Sequence, residues 1–595
     1  MVLSNLRAMG AWSFVQSGRK LPTSIQEGLI LIIQTIRERL LAGTMIGGVA
    51  LAGAVALPVT GVLFAPTSSH AQDYTSGVLT GTVTDEAGAP VSGATVNAVS
   101  GQGSVRSATT DANGAFRMPA LPVGSYQISI SHSSYGSISQ RASVTSGSSS
   151  YVFVLGAASS SGASDLSDVV VTAARRVQDF NATDTGLRVD VQDLASKVPV
   201  GRSINAVTLL SPGASLPDAT IGASSRRNQG LASFAGTSAA ESSYYVNGLN
   251  LTDQRTFLGY GEVPFDFIQS IDVKTGGYQA EYGRATGGIV NIVTRSGTNE
   301  FTGGLSVYYT PDKLRASRGT SYQQGGNNVA GLEVYNQYSY SESVDYSAFL
   351  GGPIIKDHLF FFGAYNIRDV KSEGARSRSF AYNSATGAIT PGASYSQAIS
   401  SYDDPRWALK LDFVINPNHR IEATWLNDET TTESQTRTYS ATTSAGLTAV
   451  TDPLSSDAGG LTQIYKYTGV FTDWFTLSAL YGRNEASYLD YGNPINLPGV
   501  YDYARPGGAG YVGVGRQAGP YNLSGEDIRE TYRVDADFYF NLLGEHHLRI
   551  GYDREDLTTT ATSAYSGGAL YNVLTPAQCA GIAPVGQGCL NIVTF

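Results

Sequence analysis

The sequence contains little charge and little sulphur. Asp, Glu, Lys and Arg make up 15% of its 595 residues, whereas an average soluble protein has roughly a quarter. Only two cysteines and four methionines are present, and the formal net charge is −10. Because no basic field is available to displace counterions from phosphates, we expect no nucleic-acid partner.

The usual signatures of hydrolases and nucleotide-binding enzymes are missing as well. The sequence has no HExxH, no GxSxG and no Walker-type GxxxxGK[ST]. The stretch 508–513 spells GxGxxG, but it lies in a region rich in Pro, Gly and Tyr, outside any strand–helix unit. The six histidines are scattered. We therefore expect no enzymatic activity, no cofactor and no metal site.

The first 71 residues have the pattern of a secretory signal peptide. A basic region precedes an uncharged apolar run from Leu40 to about Ala65, and a small-x-small site follows at 69–71. A permanent transmembrane helix is the alternative, since the run is long enough to span a bilayer. Gly and Ala dominate the run and Pro58 interrupts it, which favours the signal peptide. The mature chain would begin near Gln72.

The two cysteines, Cys579 and Cys589, lie close together in the sequence. A disulfide can persist in an exported protein, so a local disulfide is the favoured interpretation. A metal pair is the alternative, but no His or further Cys is near enough in sequence to complete a site.

Glycine and tyrosine are abundant, with 68 and 35 residues, which favours strands joined by glycine turns. Between 77 and 155, short strand-like runs alternate with turn residues and predict a small β-sandwich. This segment resembles the carboxypeptidase regulatory-like domain, a transthyretin-type sandwich. The matching stretches are GTVTD at 81–85, GAPVSGA at 88–94, TDANGAF at 110–116 and LPVGSY at 121–126. The resemblance implies a non-catalytic domain.

The C-terminal half contains runs in which apolar and polar residues alternate. In 407–415, Trp407, Leu409, Leu411, Phe413 and Ile415 share one face, while the residues between them, including Lys410 and Asp412, share the other. Period-two alternation describes a sheet with one apolar and one polar face. Such a sheet fits a soluble sandwich as well as a membrane barrel.

The connections between these runs favour the barrel. Tight turns near 355–357, 416–418, 472–473 and 541–546 alternate with long polar connections at 310–344, 369–403, 430–461, 486–529 and 557–590. Transmembrane barrels have short turns at one end and long loops at the other, and a soluble domain rarely contains several long loops without secondary structure. The nine predicted strands lie near 301–309, 345–353, 359–368, 404–415, 419–429, 462–471, 474–485, 530–540 and 547–556.

This half also resembles the outer-membrane receptors whose transport is powered by TonB, specifically their Oar-like branch, through LGGPIIKDHLFFFGAY at 350–365. The resemblance implies that 177–299 is the plug carried inside the barrel. The matching plug stretches are VGRS at 200–203, LSPG at 210–213, YYVNGLN at 244–250, FIQSIDVKTGGYQAEYGR at 267–284 and GGIVNIVTRSGTNEF at 287–301. Asn247 stands where the family more often has Asp. Both residues suit a tight turn, so we expect little consequence.

Three charged residues of the predicted plug need polar partners that a polar barrel wall can supply: Glu281, Arg284 and Arg295. Ordinary surface charge is an equally good interpretation.

The segment SDVVVTAARR at 167–176 follows a Gly- and Ser-rich linker at 156–166 and resembles the TonB box. Its predicted coupling residues are Asp168, Val169, Val170, Val171, Thr172 and Ala173. A β-prone strand can add to the sheet edge of the periplasmic partner TonB, and the linker lets it move. A first plug strand that merely packs is the alternative.

The predicted fold is mainly β: a transthyretin-like sandwich (77–155), an α+β plug (177–299) and the N-terminal portion of a transmembrane antiparallel barrel (300–595). The run LNIVTF at 590–595 would start a tenth strand. A barrel that contains a plug needs about 22 strands, so we expect a fragment that lacks the C-terminal half of the barrel.

The expected function is transport of an unknown extracellular ligand across the outer membrane of a Gram-negative bacterium, with TonB and outer-membrane lipid as partners. The sandwich would lie in the periplasm. An adhesion or secretion-associated scaffold is the main alternative, and a peptide-processing enzyme is a weaker one.

Overall fold

The computed structural model describes residues 74–156, 175–177, 184–216, 231–279 and 281–594, with gaps at 317–318, 325–330, 384–385, 387, 441–446, 451–453, 493–498, 504–509, 512–522, 542–544, 564–567 and 580–588. The predicted signal peptide, residues 157–166 of the linker and residues 167–174 of the predicted TonB box lie outside this range.

The N-terminal domain is a sandwich of two four-stranded sheets, and its alternating strands bury one side chain in two. The strands are β1 (Ser76–Asp85), β2 (Thr95–Ser100), β3 (Val105–Thr109), β4 (Ala115–Pro122), β5 (Gly124–His132), β6 (Tyr135–Val144), β7 (Gly147–Leu155) and β8 (Arg175–Val177). The sheets have the orders β4-β1-β7-β8 and β3-β2-β5-β6. Leu79, Val96, Ile128 and Phe153 lie in the core between the sheets.

The next segment, residues 184–295 and here called the plug, is built around a five-stranded sheet. The sheet strands are β9 (Thr185–Asp190), β12 (Ser243–Val246), β13 (Leu249–Asn250), β14 (Ile268–Gly276) and β15 (Ile289–Thr294), with a small pair β10 (Ala214–Ser215) and β11 (Ser233–Phe234). The order of the five strands in the sheet is β13-β12-β15-β14-β9. Two helices, α1 (Val191–Lys197) and α2 (Ile204–Thr208), begin at N-caps Asp190 and Ser203, whose side chains accept backbone N–H groups of the first turn. Short 3₁₀ turns cover Ala239–Glu241 and Phe265–Phe267.

The C-terminal part is one antiparallel sheet, here called the barrel wall. Its nine principal strands pair consecutively and are β16 (Thr302–Thr310), β19 (Tyr340–Ile355), β20 (Leu359–Glu373), β23 (Ser394–Asn416), β24 (His419–Asn427), β28 (Leu461–Thr472), β29 (Phe475–Gly492), β32 (Leu523–Asn541) and β33 (Glu545–Thr562). Each overlaps one of the nine runs predicted from alternation. The mainly β fold is therefore confirmed.

The long connections are not devoid of secondary structure, and this part of the prediction is wrong. They contain β17 (Ser321–Gln324), β18 (Gly331–Tyr335), β21 (Arg376–Asn383), β22 (Ala388–Pro391), β25 (Thr430–Ser440), β26 (Leu447–Val450) and β27 (Leu454–Gly459), all joined to the barrel wall. Short 3₁₀ turns lie at Asp312–Leu314 and Asn336–Tyr338. Because β23 is 23 residues long and a barrel strand needs about 9–11 residues to cross a bilayer, these pairings extend the wall beyond the membrane.

The tenth barrel strand expected at 590–595 is also corrected. In the structure β35 (Cys589–Thr594) pairs with β34 (Ala569–Leu574), in a separate sheet with β30 (Gly499–Asp502) and β31 (Gly510–Tyr511). The pairing is antiparallel and closes a local loop instead of continuing β33.

The barrel wall turns its apolar face outward and its charged face inward. On β23, Trp407 and Phe413 are 38% and 42% exposed, whereas Lys410 and Asp412 on the opposite face are 2% and 0% exposed. A water-soluble sheet has the reverse arrangement. Within the described residues, no helix is long and apolar enough to cross a membrane.

Two belts of aromatic rings border the outward apolar band. Trp425 is 5.9 Å from Tyr465, Tyr465 is 6.2 Å from Tyr481, and Tyr481 is 5.1 Å from Tyr532, between ring centroids. The other belt includes Phe471, Trp474, Phe475 and Phe538. On β28, β29 and β32 the belt residues are six positions apart (465 and 471, 475 and 481, 532 and 538), or about 20 Å of strand. Such girdles are typical of outer-membrane barrels.

A charge on the outward face tests this orientation. Leu411→Arg, between the two belts, should destabilise the inserted protein by about 2–4 kcal/mol, because the guanidinium would be placed in lipid. The measurement is the urea midpoint of the protein folded in lipid vesicles. Ala398→Arg, an exposed position on the same strand nine residues beyond Trp407, is the matched control and should change the midpoint little. Equal effects would argue against a lipid-facing band.

Candidate functional site at the plug–barrel interface

The plug and the barrel wall share one apolar core. Phe267 and Ile292 of the plug are fully buried in a cluster that also contains inward-facing wall residues. The wall members are Phe362, Ala364, Ala408, Leu426, Ile464 and Leu480, and the rings of Phe267 and Phe362 are 5.8 Å apart. The sequence predicts a polar inner wall. In the structure, the inner wall also has an apolar patch, which lies where the plug packs.

A row of charged side chains of both signs lies on the inner face of β32. Asp527, Arg529, Arg533, Asp535 and Asp537 all face inward and are buried. The first two contact the plug directly, since Arg255 Nε lies 2.8 Å from Asp527 and Arg529 Nη1 donates to the carbonyl oxygen of Asn250 at 2.5 Å. A buried ion needs such partners to offset the cost of its desolvation.

Glu281 lies against this row. Its carboxylate is 3.1 Å from Arg549 Nε and 3.8 Å from Arg533 Nη2, and its side chain is 9% exposed. Both arginines belong to the barrel wall, so the structure brings Glu281 into a plug–barrel ion pair shielded from water.

Arg284 makes a similar but solvated contact. Its Nη1 is 2.5 Å from Glu555 Oε2 on β33, and its side chain is 59% exposed. Exposed ion pairs contribute little to stability, about 0–1 kcal/mol.

Arg295 differs from the expected polar contact with the wall. Its Nη1 donates to the plug's own Asp266 carbonyl at 3.2 Å. Its contact with the barrel is a cation–π stack, with Cζ 4.8 Å from the Phe349 ring and 4.4 Å from the Phe362 ring. Burial lowers the pKa of Arg295 below its ordinary value.

A second ion-pair group was missed by the sequence reasoning. Glu262 of the plug lies 2.5 Å from Arg406 Nη1 and 3.8 Å from Arg368 Nη2, and both arginines also contact Asp404. The Glu262 backbone N–H donates to Asp428 at 2.8 Å. Arg406 follows the same inward alternation as Lys410, which is the signal that could have identified it.

Asn247 contributes more than the tight turn predicted for it. Its φ of +49°, followed by +92° at Gly248, is the geometry for which Asn-Gly is favoured. Its Nδ2 also donates to Thr294 Oγ1 at 2.8 Å and to Thr424 Oγ1 of β24 at 3.2 Å. The amide therefore joins two plug strands to the wall, so the expectation of little consequence did not include this contact.

The first plug strand is fixed by a buried charge cluster around Asp184. Lys274 Nζ is 2.9 Å from Asp184 and 3.8 Å from Asp272, and Arg188 contacts both carboxylates. Burial alone would raise the pKa of Asp184, but the charges of Lys274 and Arg188 lower it below its ordinary value. Burial likewise disfavours the charged Arg188, but Asp272 and Asp184 raise the pKa of its guanidinium.

The remaining predicted site residues lie elsewhere. Cys579 and Cys589 form a disulfide that joins the segment after β34 to the first residue of β35. Within the described ranges, no group of three or more His, Cys, Asp or Glu side chains is arranged to hold a metal ion.

The difference in exposure between Glu281 and Arg284 gives a paired prediction. Glu281→Gln leaves the buried arginines without one carboxylate, so amide hydrogen exchange in 268–276 should rise well above that of the unmodified protein. Arg284→Gln removes a largely solvated ion and should change the exchange rate less than twofold. A larger effect at Arg284 would contradict the account of the interface.

The Asp184 cluster predicts acid sensitivity of the first plug strand. A carboxyl whose folded-state pKa is depressed stabilises the fold above its unfolded pKa, near 4, and this stability is lost as the pH falls through the folded-state pKa. Hydrogen exchange in 185–190 should therefore accelerate below about pH 4, after correction for the intrinsic pH dependence of exchange. Asp184→Asn should exchange faster at neutral pH and lose part of this acid dependence. An unchanged acid dependence would exclude Asp184 as its source.

Family models match three segments of the chain. Residues 78–155 match the carboxypeptidase regulatory-like domain, residues 182–289 the TonB-dependent receptor plug domain, and residues 293–387 an outer membrane β-barrel domain.

Two curated relatives are similar to this chain in sequence. The TonB-dependent transporter Oar of Myxococcus xanthus is 27% identical over 537 residues, which cover 78% of this chain and 47% of Oar. The probable TonB-dependent siderophore receptor PirA of Acinetobacter baumannii is 27% identical over 216 residues, 34% of this chain and 25% of PirA. The chain thus spans about half the length of Oar and a quarter of that of PirA.

Among solved structures, the outer membrane transporter YddB from Escherichia coli aligns with a TM-score of 0.47 at 12% identity, over 68% of this chain and 51% of that one. The matched barrel and plug domains locate the chain in the outer membrane of a Gram-negative bacterium. With its regulatory-like, plug and barrel domains, the chain is a homologue of the TonB-dependent transporter Oar.

Proposed function

We propose that this chain functions in an outer-membrane receptor that binds an extracellular ligand and moves it across the membrane with energy transmitted through TonB. The observation that carries the proposal is the interface between the plug and the inner wall, where Glu262, Arg255 and Glu281 of the plug meet charges of the wall. A charged interface separates in water at lower cost than an apolar one, because each separated ion is rehydrated.

The composition of this interface supports partial movement of the plug. The apolar patch around Phe267 and Phe362 loses hydrophobic contact when it separates, whereas the exposed Arg284 can exchange its contact with Glu555 for water. We therefore assign Arg284, and to a lesser degree Glu281, a role in release of the plug, while Arg295 stays with the apolar patch.

Coupling to TonB is assigned to Asp168–Ala173. The segment lies between the end of β7 at Leu155 and the start of β8 at Arg175. Main-chain hydrogen bonds to a partner's sheet edge transmit force without a folded interface. The chain itself would perform no covalent chemistry, in keeping with relatives that are named as transporters and receptors.

A proline in the coupling segment tests this function. Val170→Pro removes one N–H and fixes φ, so strand addition should fail and binding to the purified periplasmic domain of TonB should fall at least about tenfold. Val170→Thr keeps a β-branched residue and is the matched control, with binding within about twofold. Calorimetry measures the affinity, and heat-modifiable mobility on gels verifies that both variants insert.

The scaffold alternative makes the opposite prediction. In a receptor that serves only adhesion or secretion, Val170→Pro and deletion of Asp168–Ala173 would leave activity in cells unchanged. That result would overturn the transport proposal. Hydrolysis by the purified chain would instead revive the peptide-processing alternative.

A further inference from the structure

The sandwich is joined to the plug and to the barrel wall at several separate places. The first is the turn between β2 and β3. Gln102 is buried and its Nε2 donates to the carbonyl oxygen of Gly297 at 3.1 Å, while the Asn299 backbone N–H donates to the carbonyl oxygen of Gly101 at 3.0 Å. A Cβ at Gly103 would lie 2.4 Å from Asp357 Oδ1 and 2.6 Å from Asn299 Nδ2. The turn is therefore closely packed where the plug leads into the first barrel strand.

The second place is the chain just before β1. Tyr74 is 2% exposed, and its ring lies 5.2 Å from Tyr245 and 5.0 Å from Tyr282 of the plug. Arg533 of the wall stacks over the same ring at 4.4 Å. The carbonyl oxygen of Tyr74 accepts a hydrogen bond from Asn291 Nδ2 at 2.7 Å. This residue thus bridges the sandwich, the plug sheet and β32.

Two further side chains of the sandwich contact the plug and the barrel wall. Ser146 Oγ donates to Asp272 Oδ2 at 3.1 Å, which adds the sandwich to the charge cluster around Asp184. Arg117 stacks over the ring of Tyr539, with Cζ 4.0 Å from the ring centroid. Tyr539 lies near the C-terminal end of β32, and Asp357 lies in the tight turn after β19. The sandwich therefore covers the end of the barrel wall that carries the short turns, the periplasmic end of outer-membrane barrels.

The edge of the sandwich also holds the segment that follows the predicted TonB box. β8 pairs antiparallel with β7, with Val152 opposite Arg175 and Ser150 opposite Val177. A pull on 168–173 acts at one end on β7 and at the other end on β8. The load therefore reaches the sandwich before it reaches the first plug strand at Thr185.

We propose that the sandwich is a periplasmic cap: it docks on the plug and the short-turn end of the barrel, and this docking restrains the plug from opening. The inference rests on the proposed function for its purpose, but the docking and the restraint are measurable without a transported ligand. It gives the regulatory-like domain a mechanical function.

Hydrogen exchange of the purified full chain in detergent tests the restraint. Gln102→Ala combined with Arg117→Ala removes two docking contacts that do not touch β9 or β14. Exchange in 185–190 and 268–276 should rise at least about tenfold, the factor that corresponds to about 1.4 kcal/mol. Gln102→Ala combined with Arg141→Ala, which removes an exposed arginine of the same domain instead, is the matched control and should give a smaller rise. Unchanged exchange in both double variants would overturn the proposal.

A disulfide between the sandwich and the plug–barrel connection tests the docking itself. A Cβ built on Gly101 lies 3.5 Å from Thr298 Cβ, within the range of natural disulfides, roughly 3.5–4.5 Å. The double variant Gly101→Cys, Thr298→Cys should form this disulfide spontaneously in membranes kept under oxidising conditions. When this disulfide is added to the Gln102→Ala, Arg117→Ala variant, hydrogen exchange of the plug should return to within about twofold of that of the Gln102→Ala, Arg141→Ala control. Reductant should reverse this effect.

Single-cysteine variants treated with the same reductant correct for reduction of Cys579–Cys589. Failure to cross-link would overturn the docking, and cross-linking without slower exchange would overturn the restraint. Neither result would affect binding of the TonB domain to the 168–173 segment, so the proposed transport function stands or falls separately.

Discussion

The structure depends on a barrel wall whose charged face is buried and whose apolar face is exposed. Lys410 contacts Asp412 and Glu422 on the inside at 3.6 and 2.7 Å, while Leu409 and Leu411 face outward on the same strand. In water this arrangement would leave a continuous apolar surface exposed. It is stable only where lipid solvates the outside and where protein or water solvates the inside. The plug follows from this constraint, since it supplies counter-charges and apolar partners to the inner wall.

The interior combines two kinds of contact with different physical costs of separation. The shared apolar core around Phe267 and Ile292 resists separation. The surrounding ion pairs, from buried Glu281 to exposed Arg284, are exchangeable for water to different degrees. The sandwich adds a third set of contacts at the short-turn end through Gln102, Tyr74 and Ser146. These three sets of contacts therefore differ in the free energy that their separation costs.

Local alternation was sufficient to predict the nine principal strands, because the period of two is set by the pleat and does not depend on distant residues. The need of charged plug residues for polar partners indicated Glu281 and Arg284, of which only Glu281 is buried. Contacts between segments that are distant in the sequence could not be predicted from local alternation. The contact of Glu262 with Arg406 joins residues 144 positions apart, the extra strands of the long connections pair with one another and with extended wall strands, and Asn247 was understood as a turn residue alone. The docking of the sandwich depends on backbone groups such as the Gly297 carbonyl, which have no signature in the sequence.

The orientation of the wall is the central claim, and tryptophan fluorescence in vesicles of brominated lipid tests it most directly. The sequence after Gln72 contains three tryptophans, Trp407, Trp425 and Trp474, and all three lie on the outward face or at its border. Bromine on the acyl chains should quench most of their emission relative to unbrominated vesicles, since each indole contacts lipid. Emission that brominated lipid leaves unchanged would place these side chains against protein and would contradict the account.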